Sequence, residues 1–207
     1  APATYEQALR ALAASRDDIV VLTAENRAHI RGLPEALGPR FVDVGICEQT
    51  MVGAAAGLAL RGRTPIGHAL ATFLTLRAFE FIRTDVGIPR LPVKLVGFVP
   101  GLLSEANGPT HQAIDDVAVM RAIPGVQVFC PADLGELVEA LPEIVASRAP
   151  AYVRYTAAPA AVEHTTPFAI GKAEVLSHEE GVSILTYGPL LREADRVIGL
   201  TAKVARC

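Results

Sequence analysis

Residues 40–62 read RFVDVGICEQTMVGAAAGLALRG: a short apolar run, a glycine, then a long segment rich in alanine and glycine. A run of that length reads as a buried strand and its continuation as a helix. The same unit recurs along the chain, and this recurrence constrains the fold most. Short apolar runs are expected as strands at 19–22, 41–44, 64–70, 92–98, 126–130 and 151–154. Helical segments separate them, after residue 45, after the third strand through about residue 84, at 113–123 and at 134–147. A first helix, to about residue 15, opens at Thr4-Tyr5-Glu6-Gln7, where a threonine stands three residues before a glutamine as in a capping box. Apolar strands alternating with helices give an α/β fold, a parallel sheet flanked by helices on both faces. Ligands of such sheets bind beyond the carboxyl ends of the strands. The loops Thr23-Ala24-Glu25-Asn26 and GLLSEANGPTHQ fall there.

From residue 156 the pattern changes. TAAPAAVEHTTP, residues 156–167, reads as a linker, and beyond it strands at 171–176 and 182–187 and a helix from residue 191 are expected. The division is thus a domain over 1–155, a linker, and a unit over 168–207 too short to stand as an independent domain. The chain has 207 residues, is 51% hydrophobic and carries a net charge of −3, which suits one compact domain with a substantial core. No basic stripe with interleaved aromatics points to nucleic acid. No apolar run approaches the roughly 18 residues of a membrane span, and no signal-peptide pattern opens the chain. The three cysteines, Cys47, Cys130 and Cys207, lack metal-ligand spacing and read as reduced thiols of a cytoplasmic protein, Cys47 in a packing role.

Glu48 stands at the start of the helix that follows Gly45. One reading is a helix-terminal carboxylate favoured by the macrodipole, a contribution of about 0.3–1 kcal/mol. The other is a buried acid, whose pKa burial can raise by up to about 3–5 units, so that it can give a proton or a hydrogen bond to a reacting ring. Gly53 and Gly57, with alanines between them, cost the helix about 1 kcal/mol each relative to alanine. That expense suggests a close approach to a partner, with Glu48 held at the seam. Local physics leaves both readings open.

Four stretches in order, DVGICEQTMVGAAAGLAL, TFLTLRAFEFIRTD, NGPTHQAIDD and RAIPGVQVFCPAD, give the chain its resemblance to a family. Over residues 19–155 it resembles the central, pyrimidine-binding domain of transketolase-type thiamine diphosphate enzymes. The remainder, with FAIGKAEV and ILTYG, looks like the start of the transketolase carboxyl-terminal domain. The resemblance implies that Glu48, in a GI-x-EQ motif, hydrogen-bonds the ring nitrogen N1′ of the cofactor's aminopyrimidine, so that the cofactor acts as its own general base. It implies transfer of a two-carbon ketol unit from a sugar-phosphate or related ketose or 2-oxo donor, within a dry pocket supplied by the protein.

The same resemblance assigns other residues. Phe73 would stack on the pyrimidine; read alone it is a core aromatic sharing a helix face with Leu76 and Phe79. Leu70 takes a wall position where relatives often carry an aromatic, and Arg77 and Phe79 fall at positions that line the cofactor. Taken alone those two are an exposed cation and a core ring. His111, in Gly-Pro-Thr-His-Gln, matches the histidine that contacts substrate hydroxyls and so joins Glu48 as a catalytic candidate. Arg154 matches the arginine that binds the sugar phosphate, a task suited to a bidentate guanidinium. Asn107 departs from the family's aspartate; either the donor is handled differently from an ordinary ketose phosphate or Asn107 merely tunes affinity. Val99 stands near the register of a phosphate-contacting histidine, and His29 and His68 receive no role. No metal ligand is assigned. The GDG…N segment with which the family holds the diphosphate and magnesium does not occur in the chain. The resemblance thus implies a diphosphate-binding partner in an α2β2 hetero-oligomer. The rival readings are a deoxyxylulose-phosphate-synthase-like subunit, a 2-oxoacid decarboxylase β-type subunit, and a non-catalytic assembly partner.

Overall fold

The computed structural model describes residues 4–160, 162–177 and 183–204, the last six by backbone alone. Among them six strands pair in parallel: β1 (Ile19–Thr23), β2 (Phe41–Asp43), β3 (Thr64–Leu70), β4 (Lys94–Phe98), β5 (Gln127–Phe129) and β6 (Ala151–Arg154), in the order β2-β1-β3-β4-β6-β5. The expected parallel sheet is therefore present.

Strand alternation sends side chains to two cores. Ile19, Val21, Ile66, Val96 and Val153 meet α1 (Tyr5–Ser15), α2 (Leu33–Leu37) and α6 (Leu134–Ala146) on one face. Val20, Leu22, Ala69, Leu95 and Tyr152 meet α3 (Glu48–Leu60), α5 (Asp116–Arg121) and a helical run over 73–87 on the other. That run has a short α-helical centre, α4 (Phe79–Phe81), between two wider π-helical turns, Phe73–Arg77 and Ile82–Gly87. Thr4 caps α1 by accepting from Gln7 N at 3.2 Å, as the capping box requires. The two histidines without an assigned role lie on the first face. His68 is fully buried; its Nδ1 donates to Leu22 O at 3.1 Å and its Nε2 accepts from Tyr5 Oη at 2.8 Å. Burial lowers its pKa to about 4, so it is neutral near pH 7. His29 lies against Phe98 and Tyr155.

Two expectations are corrected. Residues 171–177 and 183–187 contain no strand; Val182 lies outside the described residues. Instead the segment after 161 runs along α6, where Glu139 accepts from Phe168 N and Glu143 from Ile170 N, both at 3.0 Å. A strand needs a neighbouring strand for its backbone groups, and among the described residues none pairs with 171–177 or 183–187. The helix expected from residue 191 is α7 (Leu191–Val204). Cys47, expected to pack, is exposed, because it precedes the first turn of α3 and points away from the core; Cys130 is partly buried, which pushes its thiol up to about 11. Among the described residues, a Cβ at Gly53 or Gly57 would meet no atom within 4 Å, so the close approach expected of this face is not made within the chain. Met51, Val52, Ala55 and Ala56 of α3 are buried, but its glycine face is open.

Candidate functional site at the carboxyl edge of the sheet

The turn into α3 is built at Gly45, whose φ of 71° suits glycine. Asp43, at the end of β2, accepts from Gly45 N and from Glu25 N, both at 3.0 Å, and so ties together the loops that follow β1 and β2. The turn delivers Glu48 as the first residue of α3, 2% exposed. Local sequence left two readings of this carboxylate, and the burial is that of the second. Its partner is Arg77, whose Nη1 donates to Glu48 Oε2 at 2.8 Å.

Arg77 comes from the π-helical turn that begins at Phe73. Residues four apart share a side of a helix, and the guanidinium carbon stands 4.3 Å from the centroid of the Phe73 ring. His111 meets the same ring edge-on, 4.9 Å between centroids, and its Nδ1 lies 2.9 Å from Thr110 Oγ1. The structure thus brings together Glu48, Phe73, Arg77 and His111. Phe79 is partly buried in the second core, whereas Leu76 is exposed and does not share the packed side as expected. Leu70 packs on the first core, on the opposite face of the sheet from Leu74 and Met51.

His111 belongs to a loop closed at its neck, where Gly101 and Ala113 exchange two backbone hydrogen bonds of 2.9 Å. Asn107 lies near the tip, exposed, and donates from Nδ2 to Ser104 Oγ at 3.0 Å. Arg154 braces the neck. Its Nη2 donates to Ala113 O at 3.0 Å and its Nε to Asp116 Oδ2 at 2.9 Å. The same oxygen accepts from Tyr152 Oη at 2.7 Å, while Asp116 Oδ1 has no partner. Tyr152 reaches Asp116 only because residue 97 is glycine: a Cβ there would stand 2.5 Å from the tyrosine oxygen. Burial, then the neighbouring carboxylate, raises the Tyr152 pKa well above its ordinary value. Sequence reading named Arg154 but missed Asp116 and Tyr152, which are far apart in sequence; the one signal was an acidic pair, Asp115-Asp116, at a helix start.

A buried carboxylate beside an aromatic ring fits the ring end of an aminopyrimidine cofactor, since both edge and face of such a ring find a partner. For the charged end, no group of three or more His, Cys, Asp or Glu side chains that could hold a metal occurs among the described residues. A cavity of about 460 Å³ between β5 and residues 168–172 contains none of the expected site residues. No helix among the described residues is long and apolar enough to cross a membrane.

A sheet of this order with a buried glutamate opening the helix after β2 defines a class. The family described as transketolase, pyrimidine binding domain, matches residues 2–159, and the chain belongs to that family. Among individual proteins, it is 36% identical over 195 residues to the 6-deoxy-6-sulfo-D-fructose transketolase subunit SqwH of Clostridium sp. (strain MSTE9), covering 92% of this chain and 61% of that one. The chain therefore spans about three fifths of that relative's length. It is 35% identical over 219 residues to the 1-deoxy-D-xylulose-5-phosphate synthase of Nitratidesulfovibrio vulgaris (strain DP4), covering 97% of this chain and 33% of the synthase. A solved structure titled "Split gene transketolase, inactive beta4 tetramer" superposes with a TM-score of 0.86 at 31% identity, over 97% of this chain and 66% of that one.

Proposed function

We propose that this chain is the pyrimidine-binding subunit of a split, thiamine diphosphate-dependent transketolase of the cytoplasm, which transfers a two-carbon ketol unit. The observation that carries the reading is Glu48, 2% exposed and joined through Arg77 to Phe73, whose ring His111 touches, at the carboxyl edge of the sheet. When bound, thiamine diphosphate would supply a nucleophilic carbon for the donor's carbonyl. This chain's part is to hold the ring. Glu48 shares a proton with the pyrimidine N1′ in a site shielded from water, and Phe73 packs against the ring face. Phe79, from the second core, walls the ring's surroundings. His111 and Asn107, on one loop, take the donor's hydroxyls, and Asn107 offers a neutral amide where a carboxylate would favour an ordinary ketose phosphate. Arg154 keeps donor hydrogens beyond the two it commits to Asp116 and Ala113 and turns them toward the donor's anionic group. A partner chain holds the diphosphate and magnesium in an α2β2 assembly, and residues 168–207 contribute the beginning of a transketolase carboxyl-terminal domain. The likeness to the SqwH subunit and to a split-gene transketolase supports this reading. The second reading is a deoxyxylulose-phosphate-synthase-like subunit, favoured by the likeness to the Nitratidesulfovibrio enzyme.

The test is Glu48→Gln in the complex reconstituted with the diphosphate-binding partner. The amide keeps the shape but cannot share an acidic proton, so kcat should fall at least about a hundredfold while the fold survives. Activity within a few fold of the unmutated complex removes Glu48 from the mechanism.

A further inference from the structure

The guanidinium of Arg77 makes two contacts at once. It gives a hydrogen bond to the buried Glu48 carboxylate, 2.8 Å from Oε2, and lays its charged plane 4.3 Å from the centre of the Phe73 ring. These are the two contacts that the reading above gives to the aminopyrimidine: an edge on Glu48 and a face on Phe73. We infer that Arg77 is a displaceable stand-in for the cofactor ring, seated between Glu48 and Phe73 in the free subunit and expelled when the ring enters. The inference rests on that reading of Glu48 and Phe73.

Four features support occupation followed by release. A carboxylate buried to this degree is costly without a partner, so a free subunit needs a cation there until the ring arrives. Arg77 is suited to leave, because its side chain is 40% exposed and a single ion-pair hydrogen bond holds it to Glu48. Its backbone lies in a π-helical turn, a form of helix that recurs at functional sites. His111 touches Phe73 at an angle of 73° between ring planes, an edge contact that leaves a ring face to Arg77.

The sign of one measurement decides the matter. If Arg77 lined the pocket beside the ring, as the family resemblance implies, its removal would weaken cofactor binding. A stand-in must compete with the ring, so its removal must tighten binding. A site closed by Arg77 for some nine-tenths of the time would gain about tenfold. The experiment is calorimetric titration of thiamine diphosphate, with magnesium, into the reconstituted complex carrying Arg77→Met, which keeps the length and loses the charge. A dissociation constant lower by about five- to tenfold is expected. In parallel, the subunit alone should unfold at a lower temperature with Arg77→Met, and should lose nothing further from Arg77→Met once Glu48 is Gln. If Arg77→Met does not fold, Arg77→Lys, a cation without the flat fork, is titrated instead and should tighten binding by a smaller factor. Unchanged or weaker binding by the variant, with the unmutated complex binding normally, overturns the stand-in and leaves the proposed function in place. No binding by either complex overturns both.

Discussion

Two arginine–carboxylate pairs lie on the same face of the sheet and are built differently. Glu48 and Arg77 share one hydrogen bond, and the arginine is 40% exposed. Asp116 and Arg154 are part of a closed set: the aspartate is fully buried, it also takes the Tyr152 hydroxyl, and the arginine, 22% exposed, has a second acceptor in Ala113 O. The chemical pair is the same, but its surroundings make one able to open and the other a clamp. An ion pair's identity therefore says little until its remaining hydrogen bonds and its exposure are counted.

The largest expected effect breaks the clamp. Asp116→Ala leaves Arg154 without its charge partner and the Tyr152 hydroxyl without an acceptor. Removing one member of a buried pair costs about 3–5 kcal/mol, and the partial exposure of Arg154 argues for the lower end. Chemical denaturation should show it, set against a smaller loss for Arg77→Met, since the Arg77 side chain is 40% exposed and holds Glu48 by one hydrogen bond. Equal losses would abolish the contrast.

Tyr152→Phe comes next. It removes one hydrogen bond to a charged acceptor and keeps the ring over Gly97, so a loss of about 1.5 kcal/mol is expected in the same denaturation experiment. A loss near zero would mean that Arg154 alone satisfies Asp116.

The smallest effect sharpens the comparison with a cation that pH can remove. His164 lies between Glu174, 2.6 Å from its Nδ1, and Asp133, 3.4 Å from its Nε2. Burial alone would lower its pKa, but hydrogen bonds to the two carboxylates outweigh burial and raise it. A raised pKa in the folded state contributes stability in full below the unfolded value near 6.5, and that stability fades as pH rises through the folded value. Glu174 also accepts from Thr165 N at 2.8 Å and Thr166 N at 3.1 Å. Those two amides should therefore lose protection from hydrogen exchange as pH rises above 6.5, after correction for the intrinsic rate. His164→Gln should remove the pH dependence, and its persistence would assign the effect elsewhere.

How much of this could be read in the sequence depended on distance along the chain. β3 over Thr64–Leu70 and the strand Ala151–Arg154 were expected at their observed limits, because a short, mostly apolar stretch between helical segments reads as a buried parallel strand. The five-residue helix α2 went unread, since a segment that short has no period to detect. Glu48, Phe73, Arg77 and His111 were each named, yet the Glu48–Arg77 pair joins residues 29 apart, and no local pattern reports such a meeting. Asp116 was missed for the same reason: Tyr152 and Arg154 find it only across the sheet. The strands expected after residue 170 were misread because a short apolar run reports a strand only where a neighbouring strand pairs with it, and Val175, Leu176, Ile184 and Leu185 there are exposed.

The loop between Gly101 and Ala113 is fastened at its neck by two backbone bonds and by Arg154, and nothing at its tip takes part in that closure. The entropy of closing a loop grows only with the logarithm of its length, about 0.6 kcal/mol for each doubling. Residues could thus be added or removed around Asn107 and His111 with little change in folding free energy. The neck keeps the sheet's accounts settled while the tip is free to change its reach. In such an arrangement the length of the loop, and with it what its tip can touch, can drift by insertion and deletion, without any substitution in the core.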